Sequence, residues 1–306
     1  MMKITDDVSI DIRVIKENYC NLLGNNVILK LKASEDIGLG HLSRTITLAS
    51  FLKQRQRTVL FAINDFDYAK KRLAKEGFRF EVNRFDSDEK FVDYLIEKYK
   101  PDTLVIDEKQ CYSKESLLKW QKITKIIIID HICKDYKVAD KIIIPNAHFQ
   151  PEKYPEFKNI FWGWDWLLIN KEVLKLKPKE KLPEKINKIV ITTGGSDPKG
   201  MLFRIIDKIK NTDKEVLILI GDSFKYRERL EKLNLPENFK IEPYHPTKLL
   251  EGDVAIATFG VSVYELIYLN VPVYCVGHTK ENEEGCRVLA KRCGMVKEFL
   301  KWYKKI

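Results

Sequence analysis

The run Lys32-Ala33-Ser34-Glu35-Asp36-Ile37-Gly38-Leu39-Gly40-His41-Leu42-Ser43-Arg44 joins backbone freedom to a side chain that moves protons. Gly38 and Gly40 let the chain turn tightly and bring N–H groups close to a ligand. A helix opening near His41 aims the positive end of its dipole at the same place, which suits a phosphate or a sugar. An imidazole titrating near neutrality at that helix start is well placed for proton transfer. A G-x-G turn is not the full dinucleotide fingerprint, so a tight, helix-capping turn explains the glycines as well.

Two stretches of the second half have similar chemistry. In Thr193-Gly194-Gly195-Ser196-Asp197-Pro198, Ser196 or Asp197 suits a helix cap and Pro198 a first helical turn. The bare backbone of Gly194, Gly195 and Ser196 equally suits a diphosphate arriving at a helix N-terminus. Gly260, Val261 and Ser262 offer a second set of free N–H groups and a hydroxyl. Glu265, shortly after them, reads either as a dipole-favoured surface acid or as a carboxylate fork for two ribose hydroxyls. Asp107 and Asp130 end strands of the first half, where they either cap or line the sugar side. His131, His148, His245 and His278 show no metal-ligand spacing, and no metal or cofactor is expected.

Positioning these residues requires sheets. After an N-terminal extension (1–25), apolar runs suited to buried parallel strands alternate with helical patterns: 27–33, 58–62, 103–106, 126–129 and 142–144, then 189–192, 216–220, 239–241, 254–257 and 271–276. Leu42, Thr45, Ile46, Ala49 and Leu52 form one stripe of the first helix of this series. The Pro- and Lys-rich segment 175–183 has no periodicity and marks a linker. The expected organisation is therefore two α/β domains, 26–165 and 188–294, joined by a linker at 166–187 and followed by a C-terminal helix at 295–306. Ligands of open α/β sheets bind beyond the carboxyl ends of the strands, so the two domains are expected to face each other across a cleft.

Composition narrows the classes. The net charge of +10 is spread along the 306 residues without a basic arm, and aromatics do not interleave with basic residues, which argues against nucleic acid. Phe61, Phe66 and Tyr68 beside Lys70, Lys71 and Arg72 read as a core edge and a solvated helix face rather than a membrane patch. The six cysteines form no C-x-x-C pair and are expected reduced and mostly buried. Without a signal-like N-terminus or a span of apolar residues, a cytoplasmic protein with no stable membrane insertion is expected. The sequence leaves the oligomeric state open.

Taken together, G-L-G-H-L-S-R at 38–44, G-G-S-D-P at 194–198, L-L-E-G-D-V-A-I-A at 249–257, G-V-S-V-Y-E at 260–265 and E-N-E at 281–283 resemble the UDP-sugar hydrolases of the pseudaminic acid pathway and related spore-coat polysaccharide proteins. Trp162 to Glu172 resembles their linker. The likeness spans about residues 26–294. It implies a GT-B fold of two Rossmann-like domains, with His41 catalytic and no metal. It also implies a UDP-sugar partner held by the C-terminal loops, including Asn282 and Glu283, and a ribose contact at Glu265. In such a fold the loop carrying Tyr244 and His245 reaches the nucleotide base. The implied reaction is hydrolysis of a UDP-linked amino or deoxy sugar. The alternatives are an inverting glycosyltransferase using the same donor, or a noncatalytic nucleotide-sugar binder. The chain departs from the pattern at Lys32, His131, Val261, Tyr264 and Glu283, where the family usually has, respectively, an acid, an acid, Ser, Trp and Gln.

Overall fold

The computed structural model describes residues 10–299. Strands form where Ile, Val and Leu run together, and in the sheet centres they are buried on both faces, as parallel strands covered by helices must be. The first sheet comprises β1 (Asn26–Leu31), β2 (Thr58–Ile63), β3 (Arg79–Val82), β4 (Thr103–Asp107), β5 (Lys125–Ile129), β6 (Lys141–Ile144) and β7 (Ile160–Trp162). The second comprises β8 (Lys188–Thr192), β9 (Glu215–Ile220), β10 (Phe239–Pro243), β11 (Val254–Thr258), β12 (Val273–Val276) and β13 (Val296–Glu298). Between them run α1 (Ile12–Leu22), α2 (Gly40–Gln54), α3 (Asp67–Lys75), α4 (Asp88–Tyr99), α5 (Lys114–Gln121), α6 (Met201–Ile209), α7 (Arg227–Glu231), α8 (Val261–Tyr268) and α9 (Lys280–Arg292).

The sheets share one topology. Their orders are β3-β2-β1-β4-β5-β6-β7 and β10-β9-β8-β11-β12-β13, with every pairing parallel. In each, the first strand lies at the centre and the connections leave it in opposite directions, which opens a crevice at the carboxyl ends of β1/β4 and of β8/β11. The chain divides into two compact units. The first is Asp11–Ile37 with His41–Leu168; the described remainder, including Gly38–Gly40, forms the second. Ile28, Leu104, Ile126 and Ile128 centre one core around Trp120 and Tyr112, and Ile189, Ile191, Ile218 and Ile256 centre the other.

Three strands were not expected, and each is an edge strand of only three or four residues: Arg79–Val82, Ile160–Trp162 and Val296–Glu298. The last corrects only the start of the expected C-terminal helix, because Val296–Glu298 pairs with β12; residues 300–306 of that expectation lie outside the described residues. The N-terminal extension is a docked helix from Ile12, with residues 1–9 outside the described part. Asp11 caps it by accepting from Arg13 N, and Tyr19, fully buried, donates its hydroxyl to Trp166 O at 2.8 Å.

At the amino end of each sheet an aspartate clips the central strand to its neighbour. Asp102 Oδ2, just before β4, accepts from Asn25 N and Asn26 N at 2.8 and 2.9 Å. Asp253 Oδ2, just before β11, accepts from Asn187 N and Lys188 N at the same two distances. Gly24 is required beside the first clip, because a Cβ there would lie 2.3 Å from Asp102 Cβ. Asp102→Ala is expected to lower stability by about 1–3 kcal/mol through the lost charge-assisted bonds. Gly24→Ala should destabilise by displacing the same side chain. Urea unfolding of the two single variants and the double variant checks this, because a shared cause makes their effects less than additive.

Candidate active site

Ser34 and Gly38 shape the turn after β1, where Ile37 N donates to Ser34 Oγ and Gly38 has φ +88°. The turn delivers Gly40 to the first position of α2 and His41 to the second. The helix is buried nearly all round, beyond the expected stripe, and includes His41 and Arg44 among its buried residues. Both side chains point at the end of β4. His41 Nδ1 lies 2.7 Å from Asp107 Oδ1; Arg44 Nε donates to Asp107 Oδ2 at 2.6 Å, and Arg44 Nη2 donates to Asp107 Oδ1. Arg44 Nη1 donates to Asp130 Oδ2 at 2.5 Å, reaching the end of β5. The structure thus gathers His41, Asp107 and Asp130, and adds Arg44, which sequence reasoning left as the tail of a motif.

Asp107 decides the protonation pattern. It is 0% exposed, and His41 and Arg44 are 7% and 6% exposed. Burial pushes its carboxyl up, but Arg44 and then His41 outweigh burial and hold it below the usual carboxylate range. Burial likewise opposes the Arg44 charge, and Asp107 and Asp130 overcome it and raise the guanidinium above its ordinary value. A carboxylate only accepts, so His41 carries its proton on Nδ1 and shares Oδ1 with Arg44, leaving the two donors 2.7 Å apart. In the neutral imidazole the lone pair is then on Nε2.

Beside this cluster runs a second buried network that the sequence did not reveal. Lys30, 2% exposed on β1, donates to Glu108 at 2.6 and 2.8 Å and to Asp88 at 2.9 Å. Lys32 pairs with Asp88 and donates to Gln110 at 2.6 Å, which gives the departure at 32 a structural role.

In the second unit, Gly194 (φ +77°), Gly195 and Ser196 form the loop after β8. Gly221 must be glycine there, since a Cβ would meet Gly195 O at 2.5 Å. The helix starts at Met201, later than expected from Pro198. Asp197 bridges the gap by accepting from Met201 N and Leu202 N at 2.8 and 2.9 Å. Thr192 Oγ1, buried at the end of β8, has no hydrogen-bond partner. Gly260 precedes α8, with Val261 and Ser262 in its first turn. Glu265, 4% exposed, accepts from Asn170 N at 3.1 Å and from Tyr244 Oη at 3.2 Å. Burial raises its carboxyl above the ordinary value, while these two donors pull it down. His245 is exposed and caps its own short helix through Thr247. Asn282 and Glu283 lie in the first turn of α9; Glu283 is half exposed with Arg287 nearby at 3.7 Å.

The expectation that all six cysteines are reduced is corrected. Cys111 and Cys133 form a disulfide, with Cα atoms 5.9 Å apart, whereas Cys20, Cys275, Cys286 and Cys293 are buried free thiols. Parallel pairing of β4 with β5 brings together two loops whose cysteines are 22 positions apart, a relation invisible to local spacing. The same convergence includes His131, whose Nε2 lies within 4.8 Å of both sulfurs although its sequence spacing gives no such sign. Phe61 is fully buried, and Lys70 pairs with Asp65 and Asp67, as a core edge and a solvated helix face require.

No family model matches the chain. It is 27% identical over 261 residues to an uncharacterized protein of Methanocaldococcus jannaschii, covering 78% of this chain and 53% of that protein, so it spans about half of that relative's length. It is 24% identical to the spore coat polysaccharide biosynthesis protein SpsG of Bacillus subtilis, covering 83% of this chain and 77% of that protein. With the UDP-2,4-diacetamido-2,4,6-trideoxy-beta-L-altropyranose hydrolase of Campylobacter jejuni it shares 25% identity, over 87% of this chain and 96% of that protein. Among solved structures, a spinosyn rhamnosyltransferase matches at TM-score 0.60 and 13% identity, covering 91% of this chain and 88% of its own. The fold is GT-B-like. A glycosyltransferase of Rickettsia africae matches at 0.55 and 16% identity over 92% and 93% of the two chains. Anabaena HepE, solved with UDP-glucose, matches at 0.54 and 13% identity over 82% and 80%.

These findings show a GT-B-like fold and distant sequence similarity to a spore coat polysaccharide protein and a UDP-sugar hydrolase, not one specific family. They overturn hydrolysis as the expected reaction, since the solved structures that share the fold are glycosyltransferases, the spinosyn and Rickettsia enzymes among them. The motifs behind that expectation belong to a fold serving several reactions, so they never distinguished water from an acceptor hydroxyl. No helix among the described residues is long and apolar enough to cross a membrane.

The depressed Asp107 sets an acid limb. A carboxyl held below its unfolded value stabilises the fold above the ordinary carboxylate range, and that contribution disappears as pH falls through the folded value. Asp107→Asn is expected to cost about 3–5 kcal/mol at neutral pH, because it strips the buried Arg44 of a partner. It should also flatten the loss of stability below about pH 4. Urea unfolding of both proteins across that range measures the effect.

Proposed function

We propose that the chain is an inverting glycosyltransferase that moves a sugar from a UDP-linked donor to an acceptor hydroxyl, with His41 as general base. The observation that carries this is the buried His41–Asp107 pair: Asp107 fixes Nδ1 as a donor, which leaves Nε2 to take a proton. Supporting it are the glycosyltransferases that share this fold, the UDP-linked sugar in the name of the Campylobacter relative and the UDP-glucose of the Anabaena structure.

In this reading the acceptor oxygen gives its proton to His41 Nε2 as its lone pair bonds to the anomeric carbon. The bond from that carbon to the diphosphate oxygen breaks, and its electron pair leaves with UDP. Positive charge spreads over the sugar and negative charge over the diphosphate. The N–H groups of Gly194–Ser196 and Gly260–Ser262, with Gly38 and Gly40 beside His41, are assigned to the phosphates. Glu265, steadied by Asn170 and Tyr244, is assigned to the ribose, Asn282 and Glu283 to the outer edge of the nucleotide pocket, and Tyr244 with His245 to the base side. Asp107 is a positioning residue, and Asp130 acts through Arg44 or at the sugar.

The test incubates the chain with a panel of UDP-sugars, with and without sugar and lipid hydroxyl acceptors, and follows UDP and glycosylated product by mass spectrometry. UDP release is expected to depend on acceptor. His41→Ala should lower turnover by roughly 10²- to 10⁴-fold with little change in donor KM. Equal UDP release without any acceptor, or unchanged turnover in the variant, overturns the reading.

A further inference from the structure

The loops leaving β4 and β5 bring three soft ligands to one place. The Sγ atoms of Cys111 and Cys133 and Nε2 of His131 all lie within 4.8 Å of one another. His131 Nε2 is 3.5 Å from Cys111 Sγ and 3.0 Å from Cys133 Sγ, so the imidazole nitrogen faces both sulfurs. The ring is packed edge-on against the buried Tyr136, and Cys133 is itself buried, which fixes two of the three groups. Cys111 is exposed and supplies the way in. A structural disulfide alone needs no imidazole nitrogen aimed at it. Two thiolates and one neutral imidazole are, by contrast, a ligand set for zinc-like ions, with a fourth position left for water.

We propose that Cys111, His131 and Cys133, once the disulfide is reduced, bind one thiophilic divalent cation of the zinc class, and that the disulfide is the metal-free, oxidised form of the same site. Reduction by a dithiol delivers two electrons and two protons, giving two thiols as the reductant becomes a disulfide. Metal binding then displaces both thiol protons. The reverse step requires a disulfide oxidant, which accepts the two electrons as the sulfurs join and the ion leaves. This site is independent of the donor and acceptor assigned above, because none of its ligands is given a role in transfer.

Cobalt(II), a spectroscopic substitute for zinc, provides the test on the full chain. Protein reduced with a phosphine and desalted without oxygen should show six free thiols and take up one Co²⁺ per chain with thiolate-to-cobalt charge-transfer absorption, which Zn²⁺ abolishes. Oxidised protein, with four free thiols, should show none. Cys111→Ser, at an exposed position, should remove the absorption while far-UV circular dichroism remains that of the parent, and His131→Ala should weaken it. The proposal is overturned if reduced protein gives no such absorption, if the Cys111–Cys133 bond resists reduction in the folded chain, or if Cys111→Ser binds cobalt as the parent does.

Discussion

A single carboxylate with no access to water organises the first unit. Asp107 ends a central strand, and its two oxygens receive a guanidinium from one side and an imidazole from the same helix one turn earlier. An isolated buried charge would be costly, so the aspartate requires Arg44, and Arg44 in turn requires Asp130 on the next strand. The dependence fixes the rotation of α2 about its axis, since a helix turned by one residue would direct neither side chain at the strand end. It also fixes the tautomer of His41. Geometry, charge and proton location are thus settled by one group.

The neighbouring Lys30–Glu108–Asp88 network repeats the principle on the same sheet edge. Consecutive residues Asp107 and Glu108 leave β4 with opposite orientations, and each finds its own buried cation. Two charged networks in one crevice leave the region polar, and the hydrogen bonds around each ion keep it ordered.

How far the sequence foretold this depends on the range of the signal. Central strands such as Val254–Thr258 and Lys125–Ile129 were legible because burial on both faces demands continuous apolar runs. Edge strands such as Arg79–Val82 were not, because a half-exposed edge imposes no such run. The glycine turn and His41 could be located from local order alone, and so could Asp107 and Asp130 as strand-end acids. Their mutual contact could not, because it depends on β1 and β4 being neighbours despite five intervening elements. The same applies to Cys111, His131 and Cys133. Arg44 carried a readable signal, an i, i+3 relation to His41 that puts both on one helix face. The choice between water and an acceptor left no trace in these motifs.

The paired aspartates at the amino ends bear on how such a scaffold changes over time. Asp102 and Asp253 secure the backbone at the edge of each sheet opposite to the one that bears His41, Gly194 and Glu265. Anchoring and chemistry are thereby assigned to different rims of the same sheet. A loop on the carboxyl rim can be lengthened, shortened or recharged without loosening the fastening below it. Substrate preference is then free to drift among descendants of one ancestral chain while the frame persists, and divergence is expected to concentrate on one rim of each unit.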